Sequence, residues 1–517
     1  MTIQSLKDNL SKLFLKKIPR SPQFFFLTIY IIVLTIYTIS RTISLSVVHD
    51  EAITFFISLK SYFEIFSFTS FGAFAVNNHL LNTVLIKSFL QIFGENQFFL
   101  RLPALIGYGL YLYFGVQISK LIFPKKWLPW VCVVLTLNPF LLDFFSLARG
   151  YSLAIGLMMG SIYFFFKSIE KKHSYKYFIY SIFIGIFSIL ANFSFITPFI
   201  AILCVRLGVS VYLIIKNKRL RTIKKIGQWL GVPLTVTPLI IYSLIGPQLT
   251  FLKNSGQLYV GGQSGFFQDT VLSLIQASLY HQSYTLFFSY FIFILLSMVF
   301  LVGLYILLQA HKDKDYTQAI YLFYISSILG LIIIGLQIQH ILFRTVFVTD
   351  RAALYFLPLV IIWVFLVVEA ALPLIKERFQ KIITITGVLL VSLILIHTIS
   401  ASNFSETYIW KYDSDTKEII NDLVFIHQAS PEVKITFWNN WKLEPSINYL
   451  KYNQQLTWLD WSYRVPPTEF YNVYILLPED YELLDKYSLR IINQYENSGV
   501  IFAVKTNTSS LKIEQAN

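Results

Sequence analysis

Two adjacent carboxylates, Asp50 and Glu51 in the run HDEA at 49–52, follow the first long apolar stretch of this 517-residue chain. An acidic pair at the border of an apolar run is costly unless it is solvated, paired or used, and a carboxylate there can act as a general base. The same two residues also suit the start of a helix near Ala52, where acids complement the exposed backbone N–H groups. On the residues alone both readings stand. Charged residues recur at the borders of later apolar runs: Arg101, Asp143, Arg149 in ARGYSL, Arg344 and Arg351. Guanidinium groups grip phosphate oxygens in a fork, so a carboxylate among arginines suits an anionic, lipid-linked substrate. The plainer alternative is that some of these arginines simply pair with Asp or Glu. Asn78 and His79, from NNH at 77–79, add an amide and an imidazole. His79 can contact a phosphate or, together with Asp50, a divalent cation; it also reads as an interfacial histidine bonded within its own loop. No three- or four-ligand metal pattern compels a metal.

The elements that must position these groups are dominated by apolar runs. The chain is 55% hydrophobic, 17% aromatic and only 14% charged, with a mean hydropathy of +0.60. That excludes a water-soluble multidomain enzyme, a disordered chain and a disulfide-built scaffold, and leaves an integral membrane protein. Cys132 and Cys204 both lie inside apolar runs, so neither a structural disulfide nor a thiolate metal site is expected. The first apolar run, from Phe24 to Thr42, is longer than a signal-peptide core and reads as a retained span.

At about 20 residues per crossing, about eleven spans are expected. They lie near 24–43, 101–121, 127–145, 151–166, 177–191, 195–215, 229–246, 286–308, 320–337, 353–372 and 382–400. The stretch 80–93, with Lys87 inside, reads instead as a surface helix, because counting it as a crossing would move the basic clusters at 167–176 and 216–228 to the outer side. With the N-terminus inside, segments 1–23, 122–126, 167–176, 216–228, 309–319 and 373–381 carry the Lys/Arg excess. Much of the net charge of +14 is therefore a topology signal, and no nucleic-acid partner is expected.

Two large pieces then face outward. One is the loop 44–100, with surface helices expected in 52–67 and 80–93. The other is a segment from 402 to 517, where helical spacing in 414–428 and short strands at 433–438, 470–477 and 500–504 suggest a small α/β domain. A helix over 479–487 follows Pro478. A third piece, 247–285, holds the Gly-rich stretch 256–265 and His281, and reads as a long loop slightly more readily than as a ligand lid.

The first half of the chain resembles the polytopic GT-C-fold glycosyltransferases that use polyprenyl-phosphate sugars, in particular bacterial relatives of protein O-mannosyltransferases and the aminoarabinose transferases acting on lipid A. HDEA after the first span, NNHLLNTVL at 77–85, IFGENQFFLRLPALIGY at 92–108 and NPFLLDFFSLARGYSL at 138–153 carry the resemblance, in order. Where many relatives have Lys-Pro-Pro or His-Pro, this chain has Asn78-His79-Leu80. The resemblance implies a GT-C-type catalytic domain over 1–401 in a bacterial cytoplasmic membrane, followed by the extracytoplasmic α/β domain over 402–517 that the patterning suggests. It further implies inverting transfer of a sugar from a polyprenyl-phosphate donor to a hydroxyl on a lipid, glycan, cell-wall polymer or protein. Asp50 would be the catalytic acidic residue with Glu51 its neighbour. Arg149 and Arg351 would lie with the donor, joined by Arg101, Arg344, Asn78, His79 and Asp143 as candidate donor or substrate contacts. A polytopic transporter or flippase, and a glycan polymerase or ligase, remain the alternatives.

Overall fold

The apolar runs become helices. In this computed structural model the described residues are 22–67, 72–171, 174–216, 221–257, 261–280, 284–313 and 319–506. His281, the N-terminal basic residues and part of the stretch 256–265 lie outside them. In chain order the first elements are α1 (Pro22–Ser44), α2 (His49–Leu59), α3 (Leu80–Phe93) and α4 (Gln97–Ile122). They are followed by α5 (Leu128–Thr136), α6 (Pro139–Ser146), α7 (Tyr151–Glu170), α8 (Tyr175–Ala191) and α9 (Ile196–Lys216). Then come α10 (Thr237–Asn254), α11 (Thr285–Asp313), α12 (Ile320–Phe343), α13 (Phe356–Ala371) and α14 (Glu377–Ala401).

Among the described residues nine helices are long and apolar enough to cross a membrane, or ten when the pair α5 and α6 counts as one bent span. The expected crossing at 177–191 corresponds to α8, an apolar helix of 17 residues that falls outside those nine by its length. The expected single span at 127–145 is broken by 70°. Its cause is local: Pro139 cannot continue α5, and the Asn138 side chain accepts from the Leu141 N–H to start α6 afresh. The stretch 80–93 is the short apolar helix α3, ended by Gly94 at φ +95°, a backbone conformation that favours glycine. The chain is thus a polytopic α-helical membrane fold.

Residues 402–506 carry α15 (Thr416–Ala429), β1 (Phe437–Asn439), α16 (Glu444–Asn453), β2 (Val473–Leu476), β3 (Leu489–Gln494) and β4 (Ile501–Lys505). The sheet order is β1-β2-β4-β3, parallel between β1 and β2 and antiparallel elsewhere. The expected helix over 479–487 is reduced to a turn at Pro478–Asp480 and a short helix at Glu482–Lys486. This unit does not stand apart from the bundle. Val47, Ala52, Phe55, Leu90 and Leu100 share one apolar core with Ile420, Leu423, Tyr449 and Val473. The Phe55 ring lies 4.9 Å from that of Tyr449, and burying one such side chain is worth about 1.5–3 kcal/mol.

At the turn between α1 and α2, Glu51 and Arg101 form a fully buried fork. Arg101 donates from Nε and Nη2 to the two Glu51 carboxylate oxygens at 2.9 and 2.6 Å. Its remaining donors reach the carbonyls of Thr42, Leu45 and Ser46 at 2.8–3.0 Å. Glu51 also accepts from the backbone N–H groups of Val48 and Ala148. Every strong donor and acceptor of the pair is therefore satisfied without water. Removing one partner leaves a buried charge unpaired, so Arg101→Met should destabilise the protein by about 3–5 kcal/mol. Replacing both, as Glu51→Leu with Arg101→Met, should recover part of that loss, and a thermal-unfolding double-mutant cycle measures it. Near-native stability of the Arg101 variant alone would contradict this assignment.

Candidate active site

Asp50 sits in the first turn of α2, one residue before the Glu51 fork, and is buried. Successive residues of a helix point about 100° apart, so these neighbouring carboxylates face different surroundings. Asp50 Oδ2 lies 3.2 Å from Nη2 of Arg149 and 2.9 Å from Nη1 of Arg351. Arg149 also donates to the Asp50 carbonyl at 3.3 Å, the Thr54 hydroxyl at 3.2 Å and the Asn77 amide oxygen at 3.1 Å. Arg149 is thus locked. Arg351, on the turn Asp350–Ala353 before α13, is only partly buried and stacks over the Trp410 ring at 5.0 Å. Asp350 beside it holds φ +40°, a strained value for a residue with a side chain.

Burial alone would push the Asp50 carboxyl up, but the Arg149 and then the Arg351 guanidiniums outweigh it and hold it below the usual carboxylate range. His79 closes the cluster from the start of α3, its ring 5.8 Å from Tyr151 and its Nε2 buried without a hydrogen-bond partner. Burial, reinforced by the Arg149 charge, holds His79 well below the usual imidazole range, so it is neutral at neutral pH. Gly150 is required here. A Cβ on it would meet the Ala191 carbonyl oxygen at 1.9 Å and the His79 Cβ at 2.9 Å.

The remaining candidates are placed elsewhere. Glu51 and Arg101 form the fork behind the cluster. Asn78 turns its amide to the Ile65 carbonyl at 2.7 Å, while its neighbour Asn77 is the one that meets Arg149. Asp143 is buried in a second centre, bound by Arg41 at 2.6 Å, the Tyr280 hydroxyl at 2.9 Å and the Tyr408 N–H at 2.8 Å. Arg344 is exposed at the end of α12 in a left-handed conformation, φ +51°. Asp50, His79, Arg149 and Arg351 come together; Asp143 and Arg344 do not join them. Among the described residues no group of three or more His, Cys, Asp or Glu side chains could hold a metal ion. Asp50 and His79 offer a cation two side chains, and the two guanidiniums already engage Asp50.

Sequence reasoning did not single out Asp413, which connects this site to the C-terminal unit. Fully buried, it accepts the His49 backbone N–H at 2.7 Å on one oxygen and the Ser446 hydroxyl on the other. His49 Nδ1 is 2.6 Å from the Lys442 carbonyl, and the Ser46 hydroxyl donates to the Ser414 carbonyl at 2.8 Å. Only the HDEA motif itself could have hinted at such a cap, since its partner lies hundreds of residues away.

Among solved structures the chain is similar to ArnT from Cupriavidus metallidurans in the apo state, with a TM-score of 0.52 at 11% identity, covering 96% of this chain and 100% of that one. ArnT from the same organism bound to undecaprenyl phosphate aligns with a TM-score of 0.48 at 11% identity, covering 95% and 99%. No family model matches the sequence, and no curated protein matches it. The apo likeness shows the fold, which is of the GT-C type, small C-terminal β-containing domain included.

Burial pushes the Asp413 carboxyl well above the usual range, against the hydrogen bonds from Ser446 and His49, with Asp50 and Glu51 adding to the upward push. A raised folded-state value favours stability below the ordinary carboxylate range, and that contribution is lost as pH rises through the folded value. Asp413→Asn, which keeps an acceptor for His49 and a group for Ser446, should therefore gain thermal stability over the wild type as pH rises from 5 to 8. Asp413→Ala should lose about 1–3 kcal/mol by leaving the His49 N–H unsatisfied. Unfolding midpoints of the three proteins across that pH range are the check.

Proposed function

We propose that this protein is an inverting glycosyltransferase that moves a sugar from a polyprenyl-phosphate donor to a hydroxyl acceptor at the outer face of a bacterial cytoplasmic membrane. The observation that carries the reading is the Asp50 carboxylate held between Arg149 and Arg351. With neutral His79 this cluster has one more positive than negative charge, which is complementary to a phosphate. Arg351 donates to Asp50 from Nη1, and its other donors have no partner among the described residues, so it can also bind a phosphate in its fork.

In this reading the acceptor oxygen attacks the anomeric carbon as the bond from that carbon to the phosphate oxygen breaks. The hydroxyl proton passes to Asp50, and the lipid phosphate leaves with its charge stabilised by Arg351. A single displacement inverts the anomeric centre and needs no covalent sugar intermediate. Arg149 keeps Asp50 ionised and oriented, and the orphan His79 Nε2 is available to hydrogen-bond a donor oxygen. No step is routed through a metal; Asp50 and His79 are the side chains that would hold a divalent cation, which would offset charge on the leaving phosphate.

The Lys/Arg-rich loops support an N-terminus on the cytoplasmic side, and counting the bent pair and α8 as crossings gives about eleven spans, which puts residues 402–506 outside. The fold shared with apo ArnT is in keeping with a transferase of this class.

Asp50→Asn should lower sugar transfer by about 100-fold or more in liposomes supplied with a polyprenyl-phosphate sugar, with membrane insertion unchanged. Near-normal transfer by that variant would defeat the proposal, and lipid movement without a new glycoside would favour transport. Because the Asp50 value is depressed, its charge persists above the ordinary carboxylate range and is lost only as pH falls through the lowered value. The acid limb of the transfer rate should therefore lie below the ordinary carboxylate range wherever the protein stays folded.

A further inference from the structure

A further buried arginine lies away from Asp50 and plays no part in the chemistry above. Arg206, ten residues into α9, is 1% exposed, yet its Nε, Nη1 and Nη2 have no hydrogen-bond partner among the described residues. Its guanidinium is walled by rings, with Phe178 at 4.5 Å, Phe165 at 5.4 Å and Trp229 at 5.7 Å. Ring faces attract the charge, but they do not replace acceptors for the in-plane N–H groups. Five donors in a planar fork, shielded from water, call for an oxyanion with several oxygens.

The surroundings favour an anion. Among the described residues no carboxylate pairs with the guanidinium, and the chain flanking Trp229 brings exposed Arg221, Lys224 and Lys225. The cover over the arginine is irregular. Trp229 stacks on Phe178 at 5.5 Å from within Gly227–Val236, a π-helical stretch containing Pro233. Such stretches mark local departures from regular helix and often accompany functional sites. Phe165 and Phe178 lie 13–14 residues along α7 and α8 from the end where Gly150 meets Ala191, a distance of about 20 Å along the bundle.

We propose that Arg206 anchors a second, phosphate-binding site, covered by the segment Gly227–Val236 and separate from the Asp50 cluster. The phosphate would come either from a lipid head group entering beside that segment or from a free anion. This inference does not depend on sugar transfer and can fail or succeed independently of it.

The test uses the full-length protein, delipidated in detergent, with its thermal midpoint read against dihexanoyl phosphatidylglycerol, dihexanoylglycerol and inorganic phosphate. The phosphatidylglycerol should raise the wild-type midpoint, dihexanoylglycerol should not, and Arg206→Met should lose the shift. Bound phosphorus should fall by roughly one phosphate per chain in that variant, the stoichiometry of a single fork. An equal rise with inorganic phosphate would assign the site to the free anion. The proposal is overturned if no phosphate-bearing probe shifts the wild type, or if Arg206→Met shifts as the wild type does. Should the variant fail to fold, the wild type still decides, because equal shifts with the phospholipid and the diacylglycerol overturn the site.

Discussion

The buried fork between Glu51 and Arg101 sets the geometry on which the site depends. One guanidinium gathers the carbonyls of Thr42, Leu45 and Ser46, and one carboxylate gathers the N–H groups of Val48 and Ala148. The turn between α1 and α2 is thereby tied to the segment before α7. Ala148 is bonded to Glu51, so its neighbour Arg149 is delivered to Asp50, the neighbour of Glu51. Two adjacent pairs run in register, the inner one fully buried and the outer one at the edge of the cluster. A buried ion pair is a poor source of net stability, but it penalises any other arrangement of the same chain. Here that penalty fixes where the outer pair must lie.

The C-terminal unit completes this arrangement from above. It contributes apolar side chains to the core beneath α2, and it caps the first N–H of that helix through Asp413. The segment leading into it is held by Arg41, which donates to the Asn403 carbonyl at 2.8 Å while pairing with Asp143. Trp410, a few residues on, lies over Arg351 and against Phe144. Anchoring, capping and cation–π contact thus all fall within residues 403–415. A disturbance of the small domain should therefore be felt at Asp50 through the position of α2, without any of its residues touching a substrate.

Much of the bundle was legible because lipid demands long apolar helices with no polar backbone left unpaired. The expected spans fall on helices, and α3 was separable from them by its length and by Lys87. In the small domain β1, β2 and β4 were readable from apolar runs, whereas β3 was missed because it exposes Arg490, Asn493 and Gln494. Helix α16 was missed for a related reason: its buried Ile447, Tyr449 and Leu450 are interleaved with polar residues whose partners lie on other elements. Within the site, the sequence supplied Asp50, His79, Arg149 and Arg351, but grouped Arg101, Asp143 and Arg344 with them. A border position on an apolar run gives depth, and residues at one depth can still lie on opposite sides of a bundle. Arg41 and Asp413 were invisible because their importance lies in partners about 100 and 360 residues distant.

The two arginines on Asp50 are not equivalent, and the difference follows from where the chain places them. Arg149 is buried, held by Asp50 and Thr54 of α2 and by Asn77, and set next to a glycine that leaves no room for adjustment. Arg351 is partly exposed, makes one charged hydrogen bond and sits beside a residue held at positive φ. A carboxylate paired with two fixed cations would have little reason to exchange partners. One paired with a fixed cation and a more accessible one can keep its charge and orientation while the second guanidinium turns to an incoming anion. Arg149 alone then prevents Asp50 from becoming an unpaired buried charge, which would otherwise drive it to take up a proton. In the proposed transfer, unequal burial of two like residues would thus separate the task of holding the carboxylate from the task of meeting the substrate.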